Sequence, residues 1–520
     1  MPSDLALRVA GLLDIDATAF QEQARAEAEM IKRELRNGTF DNHRSVIGLE
    51  YEFYAVDDVR WRRADDAGTE LARVPRRLLE LIRFEKELGL HNAELTVSPR
   101  PLNAEGLRAQ AAGVRSSVLS ALQTTHAEGM RLVSDGLWTI PPIGETAEAY
   151  LTDSRDARGL SLATNMADDE RYHAMANGPN APRPFTIDAP HVSLEADTVM
   201  PGSLTASIQP HYQVAYANDL PSYHNYALRV AGPLLALAVN SPFFPPDLYD
   251  DGSVSAAVVA DAHAENRIPV FESVANAGSA EKVRFPRDLR SGEEAVDRIA
   301  NDPTIIPTPV ERGLQFDDQF ATFAAKHGSF WRWIRPVFGG ADRAEANVRV
   351  EFRPLPAQPT IRDSLAFVAA FAGLMESLPR HDHPVIGQDW AVAQRNFDVA
   401  VREGLDGRQR WITSDGTTTT DPAVLYDELL GYAVDGLRSA GCTARDAAAR
   451  VAPLRSRFVS GVTPAGWKRA AVRTRLAAGD GLDAAIHAMQ RAYIGLQTDT
   501  LVDGSFADWP EPSAAVGRVA

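Results

Sequence analysis

Ile47-Gly48-Leu49-Glu50-Tyr51-Glu52-Phe53 puts Ile47, Leu49, Tyr51 and Phe53 on one face of an extended segment and Glu50 and Glu52 on the other. Three further stretches repeat this period of two. In 91–97, Ala93, Leu95 and Val97 oppose Asn92, Glu94 and Thr96. In 203–214, Leu204, Ala206, Ile208, Tyr212 and Val214 oppose Ser203, Thr205, Ser207, Gln209, His211 and Gln213. In 347–353, Val348, Val350 and Phe352 oppose Asn347, Arg349, Glu351 and Arg353. Each segment predicts a half-buried strand. A solvated face would carry mixed Lys, Thr and Ser. Glu, His, Gln and Arg instead suit the floor of an active site.

The 520 residues suffice for one large domain or two ordinary ones, and 45% hydrophobic and 24% charged residues are ordinary for a globular chain. No apolar run reaches the length of a membrane span, and the N-terminal residues lack the pattern of a secretory signal. With Cys442 the only cysteine, an internal disulfide and a cysteine-based zinc site are excluded. A cytoplasmic location is expected. The 53 basic against 70 acidic residues give a net charge of −17, which argues against nucleic acid as the main partner. Five basic residues are lysines (Lys32, Lys86, Lys282, Lys326 and Lys468) and the rest arginines. A GC-rich genome and a high-salt cytoplasm both explain that bias, which concerns solubility rather than function.

Between the strands the pattern turns helical, so the expected class is α+β. Helices are predicted over 16–37, 74–88, 103–134, 219–239, 254–264 and 361–378. Residues 57–68 read as a polar turn and 141–201 as a long loop. Beyond Pro384 no strand is convincing. Helices over 388–403, 421–440, 443–458, 465–478 and 481–497 predict a helical region over 385–520.

Glu50 and Glu52 are one residue apart on a strand, so their carboxylates share a side, roughly 7 Å apart at the backbone. Like charges that close repel unless neutralised, and paired divalent cations such as Mg2+ would do so with oxygen ligands. Glu94 and Glu351 are candidates to complete the set. An exposed edge paired with arginines is the alternative reading. Arg349, Glu351 and Arg353 form an alternating row with two readings: a ligating carboxylate between guanidinium groups for a polyphosphate, or a salt-bridge ladder. Gln209 and His211 share a polar face and join the candidates. No P-loop, Rossmann fingerprint, zincin motif or nucleophile elbow is present in the sequence. His381-Asp382-His383 looks like a metal cluster but lies in a proline-flanked turn. Trp331 and Trp333 read as core rather than as a ligand platform, and Cys442 as a small buried residue.

In order, Gly48-Leu49-Glu50-Tyr51-Glu52-Phe53, Glu94, Leu204-Thr205-Ala206-Ser207-Ile208-Gln209-Pro210-His211, Asn240-Ser241-Pro242-Phe243 and Arg349-Val350-Glu351-Phe352-Arg353 resemble the glutamate–cysteine ligases. The likeness is to the branch shared by plant, bacterial and archaeal enzymes, within the glutamine-synthetase-like superfamily, and covers roughly residues 45–375. It implies a curved, mainly antiparallel sheet forming a funnel backed by helices, with a catalytic domain over 1–384. ATP would enter one end, the amino acid the other, with metal ions between. Glu50, Gln209 or His211, and Glu351 would hold one Mg2+ (or Mn2+), and Glu52 and Glu94 the other. Arg353 would lie near the transferred phosphate, with Arg349 beside it. The resemblance also puts the Asn240-Ser241 turn near the substrate, and Arg267 is a candidate for its carboxylate or phosphate. The implied reaction joins L-glutamate to L-cysteine through an acyl phosphate and needs no protein nucleophile. Pro210 and Pro354-Leu355-Pro356 depart from the family pattern. A different amine, a catalytically silent homologue that binds nucleotide, and a metal-dependent phosphohydrolase are the alternatives. Oligomeric state is not legible.

Overall fold

The computed structural model describes residues 2–58, 68–178, 181, 183–276, 281–310, 313 and 315–516, so most of the predicted 57–68 turn lies outside the described residues. All four alternating stretches become strands of one sheet. Its members are β1 (Val46–Asp57), β2 (Glu85–Lys86), β3 (Asn92–Pro101) and β4 (Met130–Val133), then β9 (Ile208–Val214), β10 (Ile334–Gly339) and β11 (Asn347–Phe352). Two hairpins separate these groups, β5 (Ser154–Ala157) with β6 (Leu160–Ala163) and β7 (Phe185–Ala189) with β8 (Val192–Ala196). The sheet order is β10-β11-β9-β1-β3-β2, with β4 pairing the far end of β1. Every pairing in it is antiparallel, and the sheet curls into a half-barrel. The α+β expectation and the curved antiparallel sheet hold.

One face of the sheet is apolar and covered. Ile47, Leu49, Tyr51, Phe53, Ile208, Tyr212, Val348, Val350 and Phe352 are all buried in the largest hydrophobic cluster. The helices Leu220–Ala238 and Ile361–Ser377 pack on that face, and both are buried nearly all round. A helix without a polar face has no place at a surface. The second of them crosses Pro422–Ser439 very closely. A Cβ on Gly373 would stand 2.1 Å from the Ala433 carbonyl oxygen, and one on Gly436 1.8 Å from that of Gly373, so only glycine fits there.

The 16–37 helix is found as Ala17–Arg36, capped by the Asp16 side chain. The five C-terminal helices appear as Trp390–Glu403, Pro422–Ser439, Ala444–Ser460, Pro464–Ala477 and Leu482–Thr500. A two-stranded hairpin, β12 (Trp411–Ile412) with β13 (Thr418–Thr419), is the one strand pair described beyond Pro384. The main hydrophobic cluster runs across residues 384 and 385 without a break and reaches Leu501.

Other expectations need correction. The 74–88 helix is only Arg76–Ile82, because Arg83 turns left-handed at φ 58° and the chain then enters edge strand β2. The 103–134 helix stops at Ala127; Gly129, at φ 75°, turns it into β4. The 203–214 strand is regular only from Ile208, since Met200–Leu204 coils into a tight helical turn containing Pro201. The 141–201 loop holds the two hairpins and the helices Ala147–Thr152 and Glu170–Asn177. Strand β10 was not anticipated: Pro336 argues against a central strand, but β10 is an edge.

The C-terminal helices are locked to the sheet by a buried polar network. The Lys468 ammonium pairs with Asp135, just past β4, and donates to the Asn240 carbonyl at 2.7 Å. Gln490 donates to Asp135 at 3.0 Å, and the Tyr493 hydroxyl to the Ser134 carbonyl at 3.0 Å. Lys468→Ala would leave Asp135 buried without its cation, so we expect the variant to lose about 3–5 kcal/mol in urea denaturation. A loss within the error of the titration would mean that this pair does not hold the C-terminal helices.

Candidate active site

The sheet's polar face gathers its charges by register. Glu52 stands opposite Glu94 across β1–β3, and Glu50 opposite Gln209 across β1–β9. His211, Glu351 and Arg335 form one row across β9, β11 and β10. Gly48 is the residue of β1 opposite His211; a Cβ there would stand 3.3 Å from the His211 Cβ, so its absence gives the imidazole room over β1.

Two clusters of ligand-type side chains result, Glu50 with His211 and Glu351, and Glu52 with Glu87 and Glu94; within each, one donor atom per residue lies within 4.8 Å of the others. The His211 Nδ1 accepts from Arg349 Nε at 3.2 Å. Its Nε2 stands 3.2 Å from Glu50 Oε1 but is not aligned for a hydrogen bond and has no other among the described residues. Gln209 is placed differently from His211. It donates to Glu52 at 2.8 Å and accepts from Arg353 at 2.5 Å, bridging the clusters rather than standing in the first.

Burial opposes ionisation throughout, and the neighbours decide the outcome. At Glu351, Arg335 and Arg353 outweigh burial and hold the carboxyl well below the usual range. The Arg335 Nε donates to it at 2.8 Å, and Arg353 pairs with its other oxygen. At Glu50, His211 outweighs burial and the carboxyl is lowered. The second cluster has no such relief. Burial and then Glu87 push Glu52 up to about 7 and Glu94 up to about 11. Three crowded carboxyls must hold either protons or cations, and oxygen donors with one imidazole fit Mg2+ or Mn2+.

The clusters lie where two cavities meet. The larger, about 270 Å3, has Glu52, Glu87, Glu94, Gln209, Arg335 and Arg353 on its polar side. Tyr172, Met175, Phe271, Val274, Trp331 and Trp333 form its apolar wall, so both tryptophans face a cavity as well as the core. Arg267 lines it too, buried, with its guanidinium 5.3 Å from the Trp333 ring centre. It donates to the Arg353 and Pro354 carbonyls, and burial lowers its pKa to about 10. The smaller cavity, about 210 Å3, is lined by Gly48, Glu50, Thr96, Val97, His211 and Arg349, among others. Glu50 borders both.

Asn240 and Ser241 are not brought into either cavity, which corrects their expected contact with substrate. They are buried behind the site, where the Asn240 amide N–H donates to Glu265 at 2.9 Å and the Ser241 hydroxyl bonds the same carboxylate. The turn acts on the cavity through Arg267, whose backbone N–H reaches the Ser241 hydroxyl at 3.3 Å. His381 and His383 pair separately with Asp435 and Glu428, and form no metal-type cluster among the described residues. Cys442 is buried. Glu87 and Arg335 escaped the sequence reading. Glu85-Lys86-Glu87 repeats the Glu-x-Glu spacing of Glu50 and Glu52, but inside a stretch with helical periodicity.

The profile of glutamate-cysteine ligase family 2 matches residues 46–497. The chain belongs to this family. Among solved structures it is similar to a glutamate–cysteine ligase from Francisella tularensis in complex with AMP, with a TM-score of 0.50, 13% identity and 92% of each chain covered. A bifunctional glutathione synthetase from Pasteurella multocida matches with a TM-score of 0.43 and 14% identity, over 91% of this chain and 55% of that one. No sequence among the curated proteins matches. As a member of glutamate-cysteine ligase family 2, the chain is an ATP-dependent carboxylate–amine ligase with ATP as co-substrate. No helix among the described residues is long and apolar enough to cross a membrane.

A carboxyl whose pKa rises on folding binds more protons in the folded than in the unfolded chain, so its contribution to stability falls as pH climbs above the ordinary carboxyl range. For Glu52 the loss grows until about 7, and for Glu94 it continues towards about 11. Without divalent cations, Tm should therefore be lower at pH 8 than at pH 5.5, by about 5 °C. Mg2+ should raise Tm more at pH 8, and Glu94→Gln should shrink both effects. An equal Mg2+ effect at the two pH values would sink this account of the second cluster.

Proposed function

We propose that the chain forms γ-glutamylcysteine, phosphorylating the γ-carboxylate of L-glutamate with ATP and passing the acyl group to the amine of L-cysteine. The observation that carries this reading is the placement of both carboxylate clusters, with Arg335 and Arg353, at the junction of two cavities. ATP is assigned to the smaller cavity and its γ-phosphate to the junction. The amino acids are assigned to the larger, where Arg267 is, among the described residues, the one buried cation not spent on a cluster carboxylate.

Mg2+ (or Mn2+), held by Glu50, His211 and Glu351 and by Glu52, Glu87 and Glu94, would neutralise phosphate charge and orient the transferred group. Arg353 borders both clusters and is assigned to the phosphoryl oxygens during transfer. Arg335 fixes Glu351 from the other side, and Arg349, outside the larger cavity, is assigned to the nucleotide. Arg267 would anchor the glutamate α-carboxylate. Phosphorylation turns a poor electrophile into an acyl phosphate. The attacking nitrogen then forms the amide, phosphate leaves, and the amine's surplus proton passes to an acceptor near the cavity. The apolar wall of Phe271, Trp331 and Met175 favours a second reading, the same chemistry with a bulkier amine.

The test is ADP release with Mg2+-ATP and L-glutamate, with and without L-cysteine, at low and at multimolar salt. ADP formed only with both amino acids is the expected result, and Glu50→Gln should slow it about 10²–10³-fold. Release with glutamate that cysteine does not stimulate would move the assignment to another amine. No ADP under any condition, with nucleotide binding intact in Glu50→Ala, would indicate a silent homologue.

A further inference from the structure

The segment 330–336 faces two cavities in alternation. Trp331, Trp333 and Arg335 line the catalytic cavity, whereas Phe330, Arg332, Ile334 and Pro336 line another of about 280 Å3. Arg284, Arg287 and Arg298 complete the charged wall of this other cavity, and Asp302 is the only carboxylate lining it among the described residues. Asp302 is shared between two buried cations, Arg332 and Lys282. Behind them lies Lys326, lowered to about 8 by burial and then by Lys282. Arg284 pairs with Glu281 and Arg298 with Glu294 at the rim. The Arg287 guanidinium instead stacks 3.4 Å over the Trp390 ring and makes no ion pair among the described residues. One carboxylate facing two cations, plus an unpaired arginine, leaves a local positive excess in a chain of net charge −17.

We propose that this cavity binds a small phosphate-bearing anion. Guanidinium forks match phosphate oxygens in pairs, and stacking on an aromatic face fixes the plane of Arg287 while leaving its N–H edge free. Pro286, Leu289 and Ile334 give the cavity an apolar floor beneath those donors. The site is separate from the catalytic phosphate position, on the other side of one strand.

The test is calorimetric titration of the full chain with inorganic pyrophosphate, without divalent cations and at low ionic strength, where exposed charges are least screened. Arg284→Glu/Arg287→Glu should weaken binding at least tenfold, while Arg349→Ala, in the catalytic site, leaves it unchanged. Both reversed residues are exposed, so folding should survive; if it does not, Arg287→Gln serves the same comparison with a smaller loss. Binding lost with Arg349→Ala and kept in the double variant would place the anion in the catalytic site and overturn the proposal. Absence of pyrophosphate binding, or tighter binding of citrate than of pyrophosphate, would overturn it as well.

Discussion

Glu351 lies at the centre of the polar face with no access to water of its own, between the guanidinium groups of Arg335 and Arg353. A carboxylate removed from water is costly, and only well-aligned cations offset that cost. Here the alignment comes from the sheet. Arg335 faces Glu351 across β10–β11, and Arg353 follows it two residues on along the same chain. The first cluster thereby keeps its charge. The second, built from Glu52 on β1, Glu94 on β3 and Glu87 just past β2, has no ion pair among the described residues, and burial raises Glu52 and Glu94. The two halves of the site thus differ in electrostatic state for a reason visible in strand order: Arg335 sits on β10 and Arg353 just past β11, at the opposite edge from β2.

That geometry was largely legible where sequence alternation was long. The 47–53, 91–97 and 347–353 stretches each placed their acidic and basic side chains on the face where the structure has them. What escaped was carried by elements too short to show a period. The two residues of β2 bring in Glu87, and β10, with a proline inside it, brings in Arg335. Register was equally invisible, because alternation states which face a residue takes but not which neighbour it meets. Gln209 and His211 share a face, yet one meets Glu52 and the other Glu50. The turn at Asn240 was read as near the substrate, but its side chains are buried away from the cavity, Asn240 on the Ala357 carbonyl and the Tyr493 hydroxyl and Ser241 on Glu265.

The C-terminal helices enter the site from behind. Lys468 joins Asp135 to the Asn240 carbonyl, Asn240 and Ser241 hold Glu265, and Arg267 takes its backbone position from Ser241. The helical region is therefore part of how the larger cavity keeps its shape. None of its residues was given a role at the site from sequence, since a lysine inside an arginine-rich amphipathic helix looks like one more solvated charge.

Floor and wall of the larger cavity are built differently. The floor is a hydrogen-bonded sheet in which each charged side chain holds another, so that replacing one disturbs several. The wall comes from separate helices: Tyr172 and Met175 from Glu170–Asn177, and Phe271 and Val274 from Arg267–Ala275. These side chains interact mainly by contact and volume, a looser constraint than paired charge. Over evolutionary time such a cavity can exchange the shape of the molecule it admits while the chemistry beneath stays fixed, and divergence in this lineage should accumulate on the helices before it reaches the strands.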